Sequence, residues 1–170
     1  MAPKRVALIG SGNWASAIAL IIGQNTKENP EFVNEIRMWV YEEMIDGQKL
    51  TDIINSQHEN VKYLPGKKLP ENVIADPDIS SATKNADVLV ICLPHQFLSG
   101  LGVKIREAAN PGCIAISLVK SIHFEDDEMH LISDILKKDL GGMDVSVLMG
   151  ANIANEVCWG RRSSTFFSFR

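Results

Sequence analysis

Little in this chain points to a membrane, a metal centre or an oxidising compartment. No apolar run approaches the roughly 18 residues that a membrane span needs. Cysteine is scarce: Cys92, Cys113 and Cys158 form no Cys-x-x-Cys pair. That usage fits reduced thiols acting as small hydrophobes in the cytosol. His58, His95, His123 and His130 are not spaced with them as metal ligands, so no metal is expected. Positive charge is not in excess either, since 17 Lys and Arg stand against 21 Asp and Glu for a net charge of −4. This gives no electrostatic case for nucleic acid or an anionic membrane. Arg161-Arg162 is too short to form a patch, and Lys62, Lys67 and Lys68 read as a solvated loop. Low-complexity segments are missing. The first strand opens directly behind a short N-terminus, so no signal or transit segment is expected.

What is present is enough for one soluble globular domain: 170 residues, 45% hydrophobic and 22% charged. The chain opens on a short apolar strand, Val6-Ala7-Leu8-Ile9, followed by Gly10-Ser11-Gly12-Asn13-Trp14-Ala15 and the helix formers Ser16-Ala17-Ile18-Ala19-Leu20. A strand that turns on two glycines into a helix, with a small residue at the sixth position, is the arrangement of a dinucleotide-binding βα turn. Gly10 permits the tight turn, Gly12 leaves the backbone open to a pyrophosphate, and Ala15 lets the helix lie close on the strand. The helix N-terminus then offers N–H groups and a positive dipole end to the phosphates. The alternative is a plain tight turn that needs glycine for its own sake.

Apolar runs alternate with helical patterns nearly to the end of the chain. Strands are expected at 36–41, 73–75, 88–93, 113–118 and 145–149, with helices over 44–54, 78–83, 96–109 and 126–140. The unbroken run Val88-Leu89-Val90-Ile91-Cys92-Leu93 suits a strand covered on both faces. Strands that alternate with helices imply parallel crossovers, hence an α/β fold with a doubly wound, mostly parallel sheet in the order 3-2-1-4-5-6. Residues 1–157 form this dinucleotide-binding Rossmann domain in the reading, and 158–170 form a frayed, disordered tail, with a short terminal strand as the alternative.

In such a sheet, ligands bind outside the carboxyl ends of the strands. After the second strand come Tyr41-Glu42-Glu43, with Glu42 the candidate for ribose hydroxyls and Tyr41 an adenine platform. No basic residue follows to receive a 2′-phosphate, so NAD is favoured over NADP. After the fourth strand, Pro94-His95-Gln96-Phe97 places an aromatic where it could lie against the cofactor. His95 is weighed as a general acid but reads more simply as a turn or capping residue. Lys120, after the fifth strand, suits an oxyanion or phosphate partner, with a solvated strand-end lysine as the alternative. After the sixth come Gly150-Ala151-Asn152-Ile153-Ala154-Asn155, small enough for a nicotinamide to approach.

Several longer strings carry a family resemblance: Gly10 to Ala15, Met38-Trp39-Val40-Tyr41-Glu42-Glu43, Lys49-Leu50-Thr51-Asp52-Ile53-Ile54-Asn55, His58-Glu59-Asn60-Val61-Lys62-Tyr63-Leu64-Pro65-Gly66, Pro94-His95-Gln96-Phe97 and Ser146 to Val157. From about residue 5 to 157, the chain resembles the N-terminal half of eukaryotic NAD-dependent glycerol-3-phosphate dehydrogenase. The resemblance implies a cytosolic family that reduces dihydroxyacetone phosphate to glycerol 3-phosphate with NADH, reversibly, and usually works as a homodimer. It implies that Gly10, Ser11, Gly12, Asn13, Trp14 and Ala15 bind NAD, with Tyr41 and Phe97 lining it. It further implies Ala154 near the nicotinamide and Lys120 in contact with the substrate. Ala15 stands where glycine is usual, and Ser121 and His123 replace a typical Gly-x-Asp/Glu after the lysine.

The family also has a second, all-helical domain with the general acid/base lysine and a phosphate-clamping arginine. No stretch of these residues matches it, so no catalytic residue is expected in this chain and little or no activity from it alone. Two other readings stand beside this one. A non-catalytic NAD-binding isoform could pair with full-length subunits, and a dehydrogenase of phosphogluconates or hydroxy acids is opposed by the Pro-His-Gln-Phe and His-Glu-Asn-Val strings.

Overall fold

A computed structural model of the chain describes residues 2–98, 100–119, 122–125, 128–151, 154–158 and 164–168. Seven strands form its main sheet. The central strand β1 (Val6–Ile9) is buried at every position, as a strand with helices on both faces must be. It pairs in parallel with β2 (Ile36–Trp39) on one side, where Leu8 lies opposite Met38. On the other side it pairs with β6 (Val88–Ile91), where Ile9 lies opposite Ile91. Beyond β2 lies β5 (Val73–Asp76). Beyond β6 lie β7 (Ile114–Ser117) and β10 (Asp144–Ala151), again parallel. The order β5-β2-β1-β6-β7-β10 is the 3-2-1-4-5-6 of a full dinucleotide-binding sheet.

Strand alternation sends each run of apolar residues to two cores. Ala7, Ile9, Leu89, Ile91, Ala115 and Val145 point to one face. There they meet Ile79 and Ala82 of α3 (Ile79–Ala82), Ile105 of α4 (Gly102–Ala108), and Ile132 and Leu136 of α5 (Ile132–Asp139). Val6, Leu8, Met38 and Val90 point to the other face. Their partners are Ala15 and Ala19 of α1 (Asn13–Glu28), and Leu50 and Ile54 of α2 (Leu50–Gln57). Asp78 caps α3 as its sequence position suggests, accepting a hydrogen bond from the Ser81 amide at 2.6 Å.

Four expectations change. The helix expected over 44–54 starts only at Leu50, because Asp46 and Gly47 both take positive φ (47° and 81°). They thereby close a two-residue hairpin between β3 (Met44–Ile45) and β4 (Gln48–Lys49). The helix expected over 96–109 splits into a single 3₁₀ turn, His95–Phe97, and the shorter α4. Within the expected helix 126–140, residues 128–131 form a hairpin strand: β8 (Ile122–Glu125) pairs with β9 (Glu128–Leu131), and α5 follows. Met129, counted on the expected apolar helix face, is 60% exposed, while Leu136 is fully buried. Finally, Ser164–Ser168 in the expected frayed tail forms β11, antiparallel to β10. Thr and Phe favour strand, and the open edge of β10 offers unpaired backbone groups to them. A short α6 (Ala154–Cys158) lies between and packs against α1.

Candidate functional site

The turn after β1 holds two glycines for different reasons. Gly10 has φ +116°, and a Cβ there would sit 3.1 Å from the Cys92 carbonyl oxygen. The fold itself therefore demands glycine at this position. Gly12 has an ordinary φ of −65°, and a Cβ there would meet nothing within 4 Å. No neighbouring atom of the protein explains why it is glycine. The space over its Cα is open at the start of α1, which is the arrangement that a pyrophosphate there requires. Gly12 is the N-cap of α1 and brings no side chain to close the first turn, and no acidic residue lies in that turn.

A second segment straps the turn in place. Asn60 is fully buried, and its Nδ2 donates to the Ser11 carbonyl at 2.8 Å and to the Ser16 hydroxyl at 2.9 Å. Its Oδ1 accepts from the Tyr63 amide at 3.2 Å. Asn13 Nδ2 donates back to the Tyr63 carbonyl at 2.7 Å. The loop that carries Asn60 is closed on itself. The Glu59 carboxylate accepts from the Gly66 amide at 2.8 Å and pairs with Lys68 at 3.0 Å. Those partners, Gly66 first, hold the Glu59 carboxyl below the usual range. The His58-to-Gly66 string, recognised in the sequence only as specific, thus has a physical role. It fixes the carbonyl of Ser11 so that the glycine turn keeps its shape.

At the carboxyl ends of β1, β2 and β6 a cavity of about 820 Å³ opens over this turn. Gly10, Ser11 and Gly12 line its base. Tyr41 and Phe97 line it too, and are 70% and 58% exposed. Two large rings left in solvent at one cavity are poised to lie against a planar ligand. Cys92 and Leu93 complete one wall. Burial pushes the Cys92 thiol up to about 12, so it stays neutral there.

The acidic residue at the cavity is Glu43 rather than Glu42. Glu42 turns to α2, where its carboxylate accepts from the Thr51 hydroxyl at 2.6 Å and the Thr51 amide at 3.2 Å. It serves the helix N-terminus and is not among the residues lining the cavity. Glu43 lines the cavity and accepts from the Tyr63 hydroxyl at 2.9 Å and from the Lys62 ammonium. Lys62, then Tyr63, hold the Glu43 carboxyl below the ordinary range, and Glu43 in turn raises the Lys62 ammonium. The β3–β4 hairpin directly behind these residues is what separates the two carboxylates, and a period counted along the sequence does not reveal it.

The remaining expected residues are placed as follows. Ala15 is 1% exposed and packs in the α1-side core, with Trp14 against the same cluster. These two face the sheet, so only their backbone is positioned toward a phosphate. Ala154, 8% exposed, begins α6 beyond the end of β10 and is not among the residues lining the cavity. Lys120 lies outside the described residues. Among the described residues, no group of three or more His, Cys, Asp or Glu could hold a metal ion, and no helix is long and apolar enough to cross a membrane.

Over residues 5–169 the chain matches the family described as NAD-dependent glycerol-3-phosphate dehydrogenase N-terminus. The match thus runs past residue 157, where the resemblance was expected to end, and takes in nearly all of 158–170. A glycerol-3-phosphate dehydrogenase 1-like protein of Mus musculus is 52% identical over 156 residues, covering 92% of this chain and 44% of the relative. A cytoplasmic glycerol-3-phosphate dehydrogenase [NAD(+)] of Drosophila ezoana is 51% identical over 167 residues, covering 97% of this chain and 47% of the relative. Among solved structures, a glycerol-3-phosphate dehydrogenase of Saccharomyces cerevisiae superposes with a TM-score of 0.91 at 40% identity, over 98% of this chain and 47% of that one. The chain spans about half the length of the relatives it matches.

Proposed function

Because the chain belongs to the NAD-dependent glycerol-3-phosphate dehydrogenase N-terminal family, we propose that its glycine-turn cavity binds NAD(H) as the cofactor half of a dehydrogenase. That enzyme would interconvert dihydroxyacetone phosphate and glycerol 3-phosphate. The observation that carries this reading is Gly12: an unstrained glycine over open space, at the N-terminus of a helix, in a cavity flanked by two exposed aromatic rings. The pyrophosphate lies on the α1 N-terminus and the backbone of Ser11 to Ala15. Tyr41 packs on the adenosine end and Phe97 lines the cofactor near the turn. Ala154 stands near the nicotinamide, and Lys120 contacts the substrate.

Bound nicotinamide supplies the hydride. The chain's own residues would hold and orient the cofactor, and the buried Cys92 thiol stays neutral in the cavity wall. Reduction of a ketone also needs a proton donor at the developing alkoxide. Among the described residues lining the cavity, Glu43 is engaged by Lys62 and Tyr63 and the Cys92 thiol is pushed up to about 12 by burial, and the resemblance puts the general acid/base lysine in the family's second domain. Removing general acid catalysis costs about 10² to 10⁴ in rate. These 170 residues alone are thus expected to bind NADH yet turn over slowly. Residues 1–157 form the cofactor-binding unit in this reading. Cytosolic residence and association as a homodimer complete the proposal.

The test is NADH oxidation by the purified chain with saturating dihydroxyacetone phosphate, run beside a direct NADH titration. Saturable binding with turnover well below the usual enzyme range of about 1 to 10³ per second supports the division of labour. Full turnover contradicts it, and no binding contradicts the site.

A further inference from the structure

On one side the main sheet ends at β5, beyond which no strand lies among the described residues. A sheet edge turns backbone N–H and C=O groups outward, ready to pair with another chain. The ladder from β2 takes every second residue of β5. The Ile36 amide donates to the Asn72 carbonyl at 2.9 Å, and the Val40 amide donates to the Asp76 carbonyl at 3.0 Å. The backbone groups of Val73 and Ala75 therefore point away from the sheet. Locally, the Pro70 carbonyl accepts from the Val73 amide at 2.9 Å. Both groups of Ala75 go to one side chain. Asn55 Oδ1 accepts from the Ala75 amide at 2.7 Å, and Asn55 Nδ2 donates to the Ala75 carbonyl at 2.9 Å. We propose that the outer edge of β5 is a latent docking edge for a second copy of this chain, and that Asn55 is the plug that holds it shut.

The chemistry of the plug identifies its competitor. In an antiparallel ladder, the two residues of a hydrogen-bonded pair exchange both N–H···O bonds with each other. A primary amide reproduces such a partner, its oxygen accepting one bond and its NH₂ donating the other. Asn55 thus stands beside Ala75 as one residue of an antiparallel strand. Across a two-fold axis, β5 of a second copy offers the same outward pair. Ala75 of each copy then exchanges both bonds with Ala75 of the other, in an isologous, strand-adding contact.

Nothing else in the strand bars that contact. Val73-Ile74-Ala75 has no charge and no proline, the devices that usually blunt an edge. The charge at its end, Asp76, is held by Arg37 at 3.3 Å and by the Ser81 hydroxyl at 2.5 Å. Asn55 is exposed, so the plug sits at the protein surface. Its helix α2 is anchored separately by the buried Leu50, Ile53 and Ile54. Loss of the amide therefore opens the edge without releasing the helix.

The experiment is sedimentation velocity over a wide range of protein concentration, with thermal unfolding beside it, for wild type, Asn55→Ala and Asn55→Lys. Asn55→Ala should form species of about twice the mass, or more, that wild type reaches at the same concentration. Asn55→Lys loses the same two bonds but sets a charge on the edge. It should melt as early as Asn55→Ala and keep the wild-type mass. Amide exchange locates the contact. The Ala75 amide should be protected in wild type at every concentration, and protected in Asn55→Ala only where the larger species form. A folded Asn55→Ala that keeps the wild-type mass throughout overturns the proposal. Equal association of the alanine and lysine variants also overturns it, by tracing association to lost stability. An Ala75 amide that exchanges freely in wild type overturns the plug whether or not the variants fold. None of these readouts needs a nucleotide, so they fail or succeed apart from the NAD(H) reading of the cavity.

Discussion

The two halves of the sheet are held together by different means. In the first half, β1, β2 and β5, asparagine side chains tie distant backbone together. Asn60 holds Ser11 across 49 positions, Asn72 holds Gly23 across another 49, and Asn55 exchanges hydrogen bonds at 2.9 and 2.7 Å with Ala75. In the second half, β6, β7 and β10, apolar packing does the holding. Its amide contacts among the described residues, such as Asn110 to Asp87 at 2.8 Å, lie at the amino end of the sheet, away from the cavity. That half also leaves part of its α1-side face open, as a groove of about 620 Å³ beside Ile116 and Leu148. An apolar contact is non-directional, whereas an amide fixes both distance and angle. The half that carries the glycine turn is the half built on amides.

This contrast can be broken by substitution. The largest effect is expected from Leu89→Ala in the second half. Leu89 is fully buried, and the change should cost about 2–5 kcal/mol by transfer and cavity terms. Leu148→Ala, beside the open groove, should cost about 1 kcal/mol. Urea denaturation that gives equal losses for the two would contradict the packing asymmetry.

Amides should rank in the opposite way. Asn60→Ala strands the Ser11 carbonyl, the Ser16 hydroxyl and the Tyr63 amide, at a cost of about 1–3 kcal/mol. Because the glycine turn loosens, NADH affinity should fall as well. Asn110→Ala should cost less than about 1 kcal/mol and leave NADH affinity unchanged. If Asn60→Ala loses stability while binding NADH as tightly as wild type, the strap is structural only.

The exposed rings come next. Tyr41→Ala and Phe97→Ala remove mostly solvent-exposed surface, so stability should hold while NADH affinity drops about tenfold, the lower range of base–aromatic stacking. A fluorescence titration of each variant reads this directly.

The smallest effect concerns pH. Glu43 has its folded carboxyl held below the reference value of 4.5, so its pairing stabilises above that value and is lost as pH falls through the folded one. Lys62 is raised above 10.5, so its share is present below that value and lost as pH rises through the folded one. Any stability difference between wild type and Glu43→Gln should therefore stay flat from about pH 6 to 9 and close only in acid. Both side chains are substantially exposed, which keeps the difference small.

Much of this architecture is legible in the chain itself. Buried parallel strands read as continuous apolar runs, so β1, β6 and β7 stand out with their order. The glycine turn is local, and so is the Asp78 cap. What escapes is either non-local or finely local. Asn60 acts across 49 positions, and no neighbouring residue betrays it. The Asp46-Gly47 turn hides inside a stretch with helical spacing, and with it goes the choice between Glu42 and Glu43. Side-chain direction there depends on where β2 stops, at Trp39, two residues earlier than the apolar run suggests. The β8–β9 hairpin is missed because Met129 and Ile132 mimic a helical face.

Gly12 is proposed to be glycine for a ligand, whereas Gly10 is glycine for the fold. The decisive measurement is NADH titration together with thermal unfolding for Gly12→Val and Gly10→Ala. Gly12→Val should melt near the wild-type temperature and bind no NADH, while Gly10→Ala, strained at φ +116° and pressed on the Cys92 carbonyl, should be destabilised. A Gly12→Val chain that binds NADH as tightly as wild type would place the nucleotide elsewhere and contradict the account.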